Sequence, residues 1–64
     1  MTETEYQQVI DELERVIQDT RATMARFEST GMDEKMPEDY DKLLVILDDA
    51  VKQQREHTQA MLRR

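Results

Sequence analysis

The chain has 64 residues and contains no cysteine and no tryptophan. It has one glycine, one proline, one phenylalanine, two tyrosines, one histidine and one serine. Each scarcity excludes something. Without cysteine there is no disulfide, no thiolate zinc site and no thiol nucleophile. This usage fits a reducing compartment. A lone glycine leaves no Gly-rich phosphate loop and few turns, so the chain does not read as a sheet protein. With Ser29 the sole serine and His57 the sole histidine, nucleophilic catalysis has no constellation to stand on, and no enzyme is expected. The longest apolar run is five residues, far short of the ~20 needed to span a bilayer. The stretch Met1–Tyr6 is polar and acidic, unlike a signal peptide, so a cytoplasmic, soluble chain is expected. A chain this small can bury only a modest core. With no disulfide to staple it, association is the remaining route to stability.

What the chain does have is helix-forming residues in heptad order. Tyr6, Ile10, Leu13, Ile17, Thr20, Met24 and Phe27 recur at steps of four and three, an unbroken seam. Val9, Val16 and Thr23 widen that stripe on one side, which suits a bundle better than a two-stranded coil. Thr2 with Glu5, or equally Thr4 with Gln7, offers a capping box at the start. Gly31 suits a left-handed C-terminal cap. Pro37 suits the first position of a second helix, followed by Glu38 and Asp39 where the helix dipole favours acids. The second seam is Tyr40, Leu43/Leu44, Leu47, Ala50/Val51, Gln54, His57/Thr58 and Met61. The expected fold is therefore all-α: one domain over residues 1–64, with helix 3–29, turn 30–36 and helix 37–62. A short connection makes the two helices antiparallel neighbours. Matching them about the turn sets Phe27 near Tyr40, Ile10 near His57 and Tyr6 near Met61.

The most informative segment is Leu43-Leu44-Val45-Ile46-Leu47. At about 100° per residue, five consecutive side chains encircle a helix. One sibling helix hides only one stripe of such a belt. A second contact is implied, either another copy completing a four-helix bundle or a helical protein partner. Met32 and Met36 flank the turn, and methionine adapts to irregular surfaces. They extend the expected partner surface, or else cap the hairpin end over Phe27 and Tyr40.

Charge is unevenly placed. The net charge is −6, and residues 28–49 carry all of it: eight acids against Lys35 and Lys42. The rest balances, seven acids to seven bases, with Lys52, Arg55, Arg63 and Arg64 towards the C-terminal end. An acidic end at the turn serves solubility. It also offers a docking end for a basic partner through Glu34, Glu38, Asp39 and Asp41. No clustered basic face exists for binding nucleic acid directly. The acids lack the order of a calcium loop, and Gln54 rather than Glu precedes His57 by three, so no metal or cofactor is expected. An acidic mimic of nucleic acid, acting on a basic protein, is the alternative class, and a purely structural homo-oligomer is a third.

Gly31 and the run Pro37-Glu38-Asp39-Tyr40 resemble the turn and second-helix start of the small E-type cochaperones of type III secretion needle subunits. Those are helical hairpins of about this length. The resemblance implies a hairpin that binds a helical-repeat chaperone and helps keep a needle subunit unpolymerised. In size and topology the hairpin also resembles the Rop-type plasmid copy-number regulators, which are dimeric four-helix bundles; there only the architecture carries over.

Overall fold

The computed structural model describes residues 1–63, which leaves Arg64 of the basic C-terminal group outside the described residues. It is all-helical: α1 spans Glu3–Thr30, α2 Met32–Lys35 and α3 Pro37–Leu62. Helices α1 and α3 pack against each other as a hairpin measuring 46 × 14 × 12 Å.

The ends of the helices follow from local chemistry. Of the two possible capping boxes, the first forms. The Thr2 hydroxyl accepts from the Glu5 N–H at 3.2 Å, and the Glu5 carboxylate accepts from the Thr2 N–H at 3.1 Å. Two of the unpaired donors at the helix start are thereby satisfied. At the other end Gly31 adopts φ 75°, ψ 10° and donates its N–H to the Glu28 carbonyl at 3.3 Å. A side chain at this φ would press Cβ against the following carbonyl, which is why glycine stands here.

The expected turn over 30–36 is not irregular throughout. Met32–Lys35 coils into one helical turn, whose first bonds run from the Glu34 and Lys35 N–H groups to the Gly31 carbonyl at 3.2 and 3.3 Å. The Met36 N–H closes onto the Met32 carbonyl at 2.7 Å. Met36 then leaves helical geometry at φ −129°, ψ 63°, as the residue before a proline must. Pro37 opens α3 where its missing N–H costs nothing.

The core is small. Ile17, Thr20 and Met24 of α1 and Ala50 of α3 are the buried residues. Leu13, Phe27, Tyr40, Leu43, Leu47, Val51 and Gln54 are half-buried along the same seam. Near the turn, the rings of Phe27 and Tyr40 lie 6.3 Å apart at 37°, the expected pairing. Towards the open end the partners differ from the expected ones. The His57 ring meets Tyr6 edge-on at 6.3 Å and 69°, whereas Ile10 had been its expected neighbour. Gln54 reaches Ile10 instead, donating its amide to the Ile10 carbonyl at 3.3 Å. With Gln54 fixed there, His57 falls about one turn further along α3, level with the Tyr6 ring.

Candidate functional surface

The seam positions divide the hairpin into two flanks. Heptad positions just after Leu13, Thr20 and Phe27 place Glu14, Arg21 and Glu28 on one flank of α1; Val9, Val16 and Thr23 lie on the other. Reversing the direction of the second helix brings like flanks together. Leu44, Val51 and Thr58 of α3 therefore share the first flank, and Ile46, Gln53 and Ala60 the second.

A polar link between the helices runs along the first flank. Gln54 Nε2 donates across the seam to Glu14 Oε2 at 2.8 Å, and Gln18 Nε2, within α1, donates to Glu14 Oε1 at 3.0 Å. These bonds favour the ionised form, so the Glu14 carboxyl is held below its ordinary value, the Gln54 bond contributing most. Nearer the turn the Tyr40 hydroxyl lies within the influence of the Glu28 carboxylate. Its pKa is pushed up, first by burial, then by the negative charge and hydrogen bond of Glu28, with Asp33 adding to the effect. The Glu5 carboxyl is likewise held low by its bonds within the cap to Thr2.

Among the described residues the second flank has no such side-chain hydrogen bond from α1 to α3. Thr23 turns its hydroxyl inward to the Asp19 carbonyl at 2.9 Å, and Gln53 Nε2 donates to Asp49 Oδ2 at 2.8 Å within α3. Val16 is 41% exposed and Ile46 47% exposed.

The structure sorts the apolar belt. Leu43 and Leu47 are half-buried on the seam with α1, so these two are spent within the hairpin. Leu44 at 37%, Ile46 at 47% and Val45 at 67% exposure face outwards, one on each flank and Val45 on the outer surface between them. Val45 and Ile46 line a shallow hollow with Asp41 and Lys42, one helical turn earlier on the same face. At the turn, Met36 is exposed and Met32 half-buried. Glu34, Glu38 and Asp41 are exposed, and Asp39 is half-buried with Lys42 Nζ at 4.0 Å from its carboxylate. The acids expected to form a docking end thus lie at the same end of the hairpin as the outward part of the belt.

His57 has a structural explanation. Its Nδ1 lies 2.7 Å from the Gln53 carbonyl, which can only accept, so Nδ1 carries the proton. Among the described residues no group of three or more His, Cys, Asp or Glu side chains could hold a metal ion. Among the same residues no helix is long and apolar enough to cross a membrane.

Comparison with protein-family models, with curated proteins and with solved structures yields no match. The class that the fold defines is a two-helix hairpin, and its chemistry has to be read from its own surface.

Proposed function

We propose that this hairpin is a non-enzymatic protein-interaction module: a small acidic adaptor, cochaperone or regulator of the cytoplasm that acts by association through the outer side of α3. The observation that carries this reading is the exposure of Leu44, Val45 and Ile46 side by side in a chain with few large apolar residues. Fully covering a Val, Leu or Ile side chain contributes roughly 1.5–3 kcal/mol. With Leu44 37%, Ile46 47% and Val45 67% exposed, about half of that is still to be gained at each, a sum of roughly 2–4 kcal/mol that is a large part of the stability expected of so small a domain. The acids beside this patch, with net −6 over residues 28–49, favour an approaching surface that is apolar at its centre and basic at its edge.

The test is Ile46→Lys. This variant keeps the helical content seen by circular dichroism, because Ile46 is not a core residue, and weakens association at least tenfold. Unchanged mass by sedimentation together with unchanged partner capture would sink the reading. The same acids favour one second reading, a mimic of nucleic acid that occupies a basic protein site. In that case reversing Glu34, Glu38 and Asp41 to lysine abolishes capture of the basic partner, while Ile46→Lys leaves it intact.

A further inference from the structure

We infer that the occupant of the bare flank is a second copy of this chain, packed with its turn end pointing the opposite way. The inference rests on the association reading above and specifies its partner and geometry.

Three observations converge. The first is charge. From Val9 to Thr23 on α1, and from Ile46 to Ala60 on α3, the central row of the flank is Val9, Val16, Thr23, Ile46, Gln53 and Ala60, with no ionisable side chain in the row itself; acids border it, Asp49 accepting from Gln53 at 2.8 Å and Glu56 lying beside Ala60. On α1 the opposite flank carries Glu14, Arg21 and Glu28, with Glu14 bonded across to Gln54; on α3 its row is Leu44, Val51 and Thr58, so the contrast in charge lies on α1. Interface centres are depleted of charge in this way.

The second is spacing. The six residues sit seven apart on each helix, centred on Val16 in α1 and on Gln53 in α3. A two-fold axis crossing the hairpin at that level lays α1 on α1 and α3 on α3. It sets Val16 beside its own copy and Val9 opposite Thr23, which is nearly the same shape. On α3 it sets the large Ile46 opposite the small Ala60, and the two Gln53 amides opposite each other. Large against small is how facing layers interdigitate, and a single polar pair on an axis fixes register.

The third is the field of the turn end. A parallel pairing would set two segments of net −6 side by side. The reversed pairing separates them by nearly the 46 Å length of the hairpin, several times the ~10 Å screening length at 0.1 M salt. The available face, 46 by 14 Å, covers about 640 Å² per copy. Complete overlap of two such faces sets an upper limit of ~1,300 Å² buried in all, at the lower end of the range of specific interfaces. Of the outward residues of the belt this arrangement covers Ile46; Val45, on the outer surface, and Leu44, on the opposite flank, stay uncovered.

The absence of native cysteine makes the test direct. Val16→Cys and Glu34→Cys are each introduced alone into the full chain and oxidised, and the rate of disulfide-linked dimer formation is measured. The expected result is rapid cross-linking at position 16, beside the axis, and at least tenfold slower cross-linking at position 34, at the distant turn. Cross-linking at 16 no faster than at 34 overturns the geometry. In parallel, Val16→Glu reduces the sedimenting mass to one chain, and Val45→Glu leaves it at two; equal effects of the two variants overturn the choice of face. A wild-type chain that sediments as a monomer, yet captures a different protein in an Ile46-dependent manner, overturns this inference and leaves the association reading standing.

Discussion

The two flanks of the hairpin are built from the same pair of helices and differ in almost every respect. One carries the ionisable side chains Glu14, Arg21 and Glu28 on α1 together with the part-exposed Leu44 on α3, and Glu14 on it is bonded across the seam to Gln54. The other carries Val16 and Ile46 exposed to water and, among the described residues, no side-chain hydrogen bond from one helix to the other. A helix pair that only needed to fold would gain nothing from this asymmetry. Solvating both flanks with charge would keep it soluble at no cost to the seam. The difference separates a flank that is tied across the helices by side-chain hydrogen bonding from one that is not, and the proposed association is assigned to the second.

Variants sharpen that comparison by separating folding from contact. The largest effect is expected at the seam itself. Ile17 is 3% exposed, and Ile17→Ala should cost about 2–4 kcal/mol, through lost burial and the cavity left behind. Urea denaturation should show most of the helical signal lost at far lower denaturant. Next comes the bare flank, where Ile46→Lys should weaken association at least tenfold, equivalent to about 1.4 kcal/mol, with little change in the unfolding of the single chain. Gly31→Ala strains the one left-handed position, with no neighbouring atom within 4 Å to clash, so its cost is the φ penalty alone, about 1 kcal/mol. A fall in thermal midpoint with unchanged association would place that cost in folding.

Smaller effects are expected on the tied flank. Gln54→Ala removes the amide that reaches both the Ile10 carbonyl and Glu14. It should lower stability by about 0.5–1 kcal/mol and leave the sedimenting mass alone. Glu14 gives the smallest signal, and its sign is fixed. Its folded pKa lies below the ordinary 4.5, so its contribution is fully present above that value. It is lost as pH falls through the lower folded value. A Glu14→Gln chain should therefore lose less stability than wild type on acidification below about pH 4.5, measured by thermal melts. Parallel acid profiles for the two chains would count against a stabilising role for the link.

Much of this architecture could be read from residue order, because its determinants are local. The seam from Tyr6 to Phe27 fixes α1 by period alone. Thr2, Gly31 and Pro37 mark ends whose chemistry depends on a few neighbouring residues, and the observed helices start at Glu3 and Pro37. Residues 32–35 were less legible, since four residues are too few for a periodic signal and their helical turn depends on bonds to the Gly31 carbonyl. The neighbour of His57 was also out of reach. It depends on where the Gln54 amide lands, a long-range choice of rotamer that spacing does not encode. For the surface, the belt 43–47 announced that something faces outwards. Separating Leu43 and Leu47 from Leu44, Val45 and Ile46 required the packing of α1 and α3. The contrast between flanks was half visible: the widened stripe of Val9, Val16 and Thr23 stood in the sequence, but its alignment with Ile46 and Ala60 emerges once the two helices run in opposite directions.

Sedimentation equilibrium of the purified wild-type chain over a wide concentration range is the most direct test. The account predicts a mass approaching twice the 7.6 kDa of the single chain, returning to a single chain in Ile46→Lys. A wild-type chain that stays monomeric at every concentration, and binds no other protein through Ile46, would contradict it.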